Sequence, residues 1–522
     1  MKRISVFLLA CATLLCVACK QPVPGQVKVT GGWIQGEVTE DMCIYKGIPF
    51  AAPPVGDLRW KEPQPVIPWE GVRECLEFGP GPVQGMNFPG SKNGEDCLYL
   101  NVWSPAKTPK DKLPVFVWIY GGGFSMGSSS TFDGRPLAEK GVILVTINYR
   151  VGQLGYLVHP WLTAESPHHV SGNYGIMDQI AALQWVHDNI AAIGGDPSKV
   201  TIFGESAGGI SVSMLCASPL AKGLISGAIS QSGGSFGPVR HHSYPGENMK
   251  TLEMAEKDGV KYVEGLGASS LEELRAMDAS AFARQMVVTG GAWPIVDGYV
   301  IPDDQYRMYE AGNFNDVNVL IGYNSDEGAS FGSSNVPEEH VASVEERYGP
   351  YAGKLLEAYP LDGSSVVPKS ARDLGRDASF GWHTWSWARL QSEKGKSKVF
   401  MYYFDQHPDY PVDSPQYGHG SPHGQDVDYV FKSLRRETVP TDSYLSETMA
   451  TYWTNFAKYG DPNGEGLPEW PEFTKENHVT MVLTGSGPHP EAVPDEDAMW
   501  VLNEYFEWRR SAEGAAWAAA QE

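Results

Sequence analysis

The chain has 522 residues, 42% of them hydrophobic and 20% charged, a globular composition long enough to bury a large core and unlike that of disordered or fibrous chains. Its 63 acidic side chains against 40 basic ones give a formal net charge of -23. Such a surface repels phosphate backbones, which argues against a nucleic-acid partner; it keeps the protein solvated, or alternatively steers cationic substrates into a cleft.

The chain opens with Lys2 and Arg3 and continues in an apolar run over residues 4–18, too short to span a bilayer comfortably. The run ends in Leu15-Cys16-Val17-Ala18-Cys19, with a small residue before Cys19. This resembles a bacterial lipoprotein signal, although Cys16 stands where such signals usually carry an aliphatic residue. The resemblance implies removal of residues 1–18, lipidation of Cys19, and export to the periplasm or outer membrane, with membrane contact only through that anchor. An ordinary cleaved signal, giving a secreted protein, is the alternative. Residues 19–26, with Pro22 and Pro24, read as a tether, and residues 27–522 as a single catalytic domain.

Residues 26–38 begin a region of short β-like runs separated by turns. From Leu113 onward apolar strands alternate with helical stretches. Strands are expected at residues 115–119, 142–147, 200–203, 317–321, 399–404 and 479–483. A helix is expected over 176–193, where Ile180, Leu183, Val186 and Ile190 share one face, and another from Ile210. The pattern predicts an α/β fold: a large, mostly parallel sheet with helices on both faces, entered through an antiparallel edge. The charged helical stretch 244–282 is expected to form a cap over it.

Gly204-Glu205-Ser206-Ala207-Gly208 is a G-x-S-x-G sequence between an expected strand and an expected helix, the context of a nucleophile elbow in the α/β-hydrolase fold. A strand that turns at once into a helix strains the central residue, and only small neighbours fit beside it. The Ser206 oxygen is thereby presented at a helix N-terminus. Upstream, Tyr120-Gly121-Gly122-Gly123-Phe124 follows the strand 115–119. Its glycines let backbone N–H groups of Gly122 and Gly123, joined by that of Ala207, approach an oxyanion; one such donor is typically worth about 10²–10³ in rate.

A serine nucleophile needs a base, and the base an orienting carboxylate, in the chain order Ser, acid, His. Downstream, strand 317–321 leads to Gly322-Tyr323-Asn324-Ser325-Asp326-Glu327-Gly328, offering Asp326 and Glu327. Strand 399–404 leads to a loop holding His419 and His423, each followed by glycine. Spacing alone leaves both choices open. After export Cys43, Cys75, Cys97 and Cys216 remain; they form no C-x-x-C pair, no H-E-x-x-H occurs, and neither metal nor cofactor is expected.

Together these residues resemble the type-B carboxylesterase family, which includes bacterial esterases, liver carboxylesterases and cholinesterases. The resemblance spans nearly the whole mature chain. Its start carries Gly47-Ile48-Pro49-Phe50 and Leu58-Arg59-Trp60, and Glu95-Asp96-Cys97-Leu98-Tyr99-Leu100-Asn101 is its most specific signature. Asn148-Tyr149-Arg150, Gly172-Asn173-Tyr174-Gly175, Gln231-Ser232-Gly233 and Tyr452-Trp453-Thr454-Asn455-Phe456 also fit. The resemblance implies Glu327 as the acid and His423 as the base, the latter because His423-Gly424-Gln425-Asp426-Val427-Asp428-Tyr429-Val430-Phe431 carries the family's tail and His419 does not. It implies structural ion pairs Arg59–Glu95 and Arg150–Asp178. The implied activity is hydrolysis of small-molecule carboxylic esters through a covalent acyl-enzyme.

Three departures stand out. Phe78-Gly79-Pro80-Gly81-Pro82 lacks the cysteine that pairs in relatives with the cysteine of E-D-C, so Cys75 is the candidate disulfide partner of Cys97. No tryptophan lies between Cys75 and Cys97, only the aromatic residues Phe78 and Phe88 and Met86, which disfavours choline esters. Gly290 and Gly291 stand where narrow-pocket relatives place phenylalanines, implying an open acyl pocket. Two rival functions are a non-catalytic binding relative, disfavoured by the complete triad, and a related hydrolase of lipid, thioester, carbamate or amide bonds.

Overall fold

A computed structural model of the chain describes residues 23–89, 92–239, 249–283, 292–330, 336–361, 369–414, 416–434 and 439–521. The leader, Cys19, Gly290 and Gly291 lie outside these residues. Fourteen strands are described. The first seven are β1 (Gln26–Val29), β2 (Gly32–Gln35), β3 (Glu37–Val38), β4 (Cys43–Pro49), β5 (Val72–Glu74), β6 (Tyr99–Ser104) and β7 (Leu113–Ile119). The rest are β8 (Ile143–Ile147), β9 (Gly195–Glu205), β10 (Gly227–Gln231), β11 (Asn318–Asn324), β12 (Val399–Phe404), β13 (Val479–Leu483) and β14 (His489–Ala492). The helices that matter for the site are α1 (Tyr174–Asn189), α2 (Ala207–Ala217), α3 (Leu252–Leu266), α4 (Leu271–Ala276), α5 (Lys369–Arg376), α6 (Trp382–Lys394), α7 (Asp442–Tyr459) and α8 (Glu496–Arg509).

Strands β1, β2 and β5 make a small separate sheet. The main sheet has eleven strands in the order β14-β13-β12-β11-β10-β9-β7-β8-β6-β4-β3. From β13 to β8 every neighbouring pair is parallel. On one edge β6, β4 and β3 run antiparallel, as expected; on the other β14 does too, which was not. Strands such as β8 (Ile-Leu-Val-Thr-Ile) are buried at every position, so both faces are covered by helices, the rule for parallel sheets.

The expected strand at 200–203 is the end of the longer β9, and the helix expected from Ile210 begins at Ala207. Its first turn is Ala207-Gly208-Gly209, whose small residues carry no apolar periodicity, and this hid the helix start. From β7 the chain places β8 on one side and β9 on the other. That reversal opens a crevice at the carboxyl ends of β7 and β9, where open α/β sheets bind ligands.

The charged stretch contains α3, α4 and a 3₁₀ turn, Ala279–Phe282. Its Val263, Leu274 and Phe282 share a small core with Trp60, Leu154, Leu162 and Tyr174, apart from the main one. Arg59 ties this stretch to the body. Its Nε and Nη2 donate to the two Glu95 oxygens (2.6 and 2.7 Å), and Nη1 donates to the carbonyls of Arg275 (3.0 Å) and Met277 (2.7 Å). Arg150 donates likewise to both oxygens of fully buried Asp178 (2.8 Å each). Both implied ion pairs therefore form, Arg150–Asp178 fully buried and Arg59–Glu95 partly buried.

Cys43, Cys75, Cys97 and Cys216 are free thiols, so the Cys75–Cys97 disulfide is not formed. The two side chains sit in different surroundings: Cys75 near Arg73 and Tyr45, Cys97 beside Asp178 and Arg150. Burial raises both, Cys75 to about 11, which leaves each an inert core thiol. Among the described residues no three His, Cys, Asp or Glu side chains converge as a metal site, and no helix is long and apolar enough to cross a membrane.

Candidate active site

Ser206 joins β9 to α2 with φ 56° and ψ −125°, a conformation that costs an L-residue about 1–3 kcal/mol. The surroundings enforce it. Ser206 N donates to the carbonyl of Gln231 (2.9 Å), and the Ser206 carbonyl accepts from Ile210 N (2.8 Å). The flanking glycines are sterically required. A Cβ on Gly204 would lie 2.5 Å from the Gly208 carbonyl carbon, and one on Gly208 only 2.0 Å from the Ile119 oxygen. The strand-to-helix turn is thus packed directly onto the end of β7, and Ser206 stays partly open to solvent.

The loop after β7 reaches the same place. A Cβ on Gly121 would approach the Ser206 Cβ to 3.0 Å. Gly122 (φ 105°) and Gly123 (φ 60°) take left-handed backbone conformations that turn the loop back, and Ser125 N and Met126 N close it on the Gly122 carbonyl. Phe124 anchors it: the ring is buried edge-on against Tyr156 (5.3 Å) and Trp293 (4.8 Å). Among the described residues the N–H groups of Gly122, Gly123 and Ala207 donate to no protein group, so all three are left for a ligand.

Glu327 is fully buried in the turn after β11. Its Oε1 accepts from Ser232 Oγ and from Asn324 N (2.8 Å), and its Oε2 meets His423 Nδ1 at 2.6 Å. The neighbouring pair is committed elsewhere. Asp326 accepts from Arg372 Nε (2.9 Å) and from Gly420 N (3.0 Å), and His419 Nδ1 lies 3.6 Å from Asp326 Oδ2. Of the two carboxylates and two histidines, only Glu327 and His423 meet in the crevice.

The other imidazole nitrogen, His423 Nε2, lies 3.2 Å from Glu205 Oε1, on the residue just before Ser206. Glu205 was only the variable position of the elbow sequence, and nothing in the pattern marked it. Asp426, part of the tail after His423 but given no role there, sits fully buried and accepts from Gln231 Nε2 and Tyr402 OH (2.8 Å each). Three carboxylates therefore surround one ring. Burial alone would lower the His423 pKa, but Glu205, then Glu327 and Asp426, outweigh it and raise it to about 9. Burial raises Glu205 to about 7 against the pull of His423, and burial likewise raises Asp426.

A model of the Carboxylesterase family matches residues 23–493. The chain is 36% identical to a fumonisin B1 esterase of Sphingopyxis macrogoltabida over 91% of this chain and 90% of that one. It is 35% identical to carboxylesterase 1E of Mus musculus over 88% and 89%. Among solved structures it is similar to a PNB esterase (TM-score 0.78, 33% identity) and to the Geobacillus stearothermophilus carboxylesterase EST55 (TM-score 0.79, 32% identity), each covering 91% of this chain and 99% of the other. Similarity of this extent, on a sheet whose switch point carries a strained serine facing a glycine loop, fixes the assignment: the chain belongs to the carboxylesterase family and is a carboxylic ester hydrolase of the α/β-hydrolase fold.

Proposed function

We propose that Ser206, His423 and Glu327 are the nucleophile, base and orienting acid of this esterase, and that the N–H groups of Gly122, Gly123 and Ala207 form its oxyanion hole. The observation that carries this reading is the 2.6 Å contact of His423 Nδ1 with buried Glu327, while Nε2 lies 3.2 Å from Glu205, the residue just before Ser206. His423 takes the proton as Ser206 Oγ attacks the ester carbonyl, and the tetrahedral anion forms against the three N–H groups. The alcohol leaves with the proton from His423. Water, deprotonated by the same imidazole, then releases the acid from the acyl-enzyme. The chain's N-terminal sequence supports export with a lipid on Cys19: β1 begins at Gln26, so a lipidated Cys19 would leave a short tether to the catalytic domain.

The test is hydrolysis of p-nitrophenyl esters from acetyl to dodecanoyl, with fumonisin B1, the substrate a relative's name gives, in the same panel. Turnover peaking at short or medium chains is expected, and the peak sizes the acyl pocket. No turnover of any ester by folded protein would sink the reading.

The three carboxylates give a pH signature. The base must be neutral to accept a proton, and its pKa is raised, so activity should climb through neutral into alkaline pH as His423 loses its proton. Glu205→Gln removes the strongest of the charges holding that proton. The acid limb of kcat/KM should then move to lower pH by about one unit or more. A limb that stays in place would show that Glu205 does not set the proton affinity of the base.

A further inference from the structure

Between α5 and α6 the helix winds through a π-helical segment, Asp377–Gly381. A π turn holds one residue more than an α turn, is rare, and gathers at functional sites. Here it is held firmly. Asp377, fully buried, accepts from Arg376 Nε (2.7 Å), Arg376 Nη2 (2.9 Å) and Tyr359 OH (2.9 Å). A Cβ on Gly381 would lie 2.5 Å from Asp377 Oδ1, so the glycine is what lets the carboxylate fold back over the turn. The widened turn presents the buried Phe380, whose ring is stacked on the His423 imidazole, with centroids 4.7 Å apart and planes at 18°.

We infer that Phe380 is a positioning residue for ester hydrolysis, fixing the plane of the His423 ring beside the turn that carries Ser206. The inference rests on His423 being the base. One hydrogen bond at Nδ1 pins one atom of the imidazole but leaves the ring free to tilt about that bond, and a stacked aromatic face removes the freedom. Tilt matters here because Nε2 already lies 3.2 Å from Glu205 Oε1, on the residue before Ser206, and a ring tilted out of this plane would carry Nε2 away from that turn. The aromatic face also stabilises the imidazolium that forms as Ser206 gives up its proton. The same helix steadies the acid. Arg372 of α5 holds Asp326, and Gly328 packs so closely on α5 that a Cβ there would lie 2.1 Å from the Arg372 carbonyl oxygen. One helix thus holds the acid loop at its first half and the base at its π turn.

The experiment compares wild type, Phe380→Leu, Phe380→Tyr and His423→Gln on p-nitrophenyl acetate, measuring kcat, KM and the pH profile of kcat/KM. The charged groups facing the ring are Glu205, Glu327 and Asp426, and all are unchanged in the Phe380 variants. Phe380→Leu is expected to lower kcat about tenfold, the upper end of what an aromatic pair contributes, with KM changed less than twofold. Its acid limb is expected at lower pH, because the imidazolium loses its stacked face, and Phe380→Tyr is expected to restore both. If Phe380→Leu does not fold, Phe380→Met repeats the test with similar volume and no ring. An unchanged kcat and acid limb, a loss confined to KM, or failure of Phe380→Tyr to restore them overturns the inference. Activity retained in His423→Gln would overturn the triad and this inference together, whereas an inactive His423→Gln beside an unaffected Phe380→Leu overturns this inference alone.

Discussion

Ser206→Ala should lower kcat/KM for p-nitrophenyl esters by about 10⁵–10⁶-fold and abolish the acylation burst, while the thermal melt stays close to that of wild type. The loss is large because the attacking atom itself is removed. On the proposed mechanism, what survives is the small acceleration that the N–H groups of Gly122, Gly123 and Ala207 give to direct attack by water. The fold should survive because Ser206 Oγ makes no bond that the scaffold needs. The elbow is held by Ser206 backbone bonds to Gln231 and Ile210 and by the packing of Gly204 and Gly208 on β7. Alanine keeps the strained φ of 56° and gains nothing from it. Glycine, which enters that region freely, should be as inactive yet more stable by about 1 kcal/mol. A Ser206→Gly variant that melts below Ser206→Ala would show that the elbow is not strained, and a Ser206→Ala enzyme with substantial turnover would remove Ser206 from the chemistry.

Much of this site was legible in the sequence because its steric demands are local. Gly204 and Gly208 are dictated by a turn that admits no Cβ, and the triple glycine by a loop that must approach a ligand. The order of serine, acid and histidine narrowed the partners to Asp326 or Glu327 and His419 or His423, and the family resemblance chose between them. The structure adds a physical reason: Asp326 is occupied by Arg372 on α5, a contact 46 residues away in sequence that spacing cannot reveal. Glu205 was hidden for the same reason, since its meeting with His423 depends on how β9 and the loop after β12 come together; Asp426 stood in the quoted tail, and only its burial beside the ring was hidden. Phe380 was hidden more deeply. A one-residue π insertion shifts the phase of an apolar stripe, but residues 377–391 are buried at every position, so there is no stripe in which the shift could be seen. The proposed Cys75–Cys97 bond came from resemblance alone, and two cysteines in separate surroundings correct it.

Glu327→Gln should cost about 10⁴ in kcat while leaving the fold nearly as stable, and the reason lies in the two oxygens of Glu327 doing different things. Oε1 accepts from Ser232 Oγ and Asn324 N, so in the amide this side must remain the carbonyl; turning the –NH₂ toward Asn324 N would set donor against donor. The –NH₂ is therefore forced to face His423 Nδ1. The imidazole then accepts at Nδ1, carries its proton on Nε2, and cannot receive one from Ser206, which is the wrong tautomer for a base. Shape and burial are preserved, so stability should change little. Asp326→Asn, one residue away, should do the reverse. It removes the negative charge that faces the buried Arg372 guanidinium, at a cost of about 3–5 kcal/mol, and because that contact also steadies the loop carrying Glu327, kcat per folded molecule is expected to fall by no more than about tenfold. Melting curves and active-site-titrated kcat for the two variants, measured side by side, separate these effects. A Glu327→Gln enzyme retaining a tenth or more of its kcat, or an Asp326→Asn enzyme that melts normally but is inactive, would mean that the acid had been assigned to the wrong one of two adjacent carboxylates.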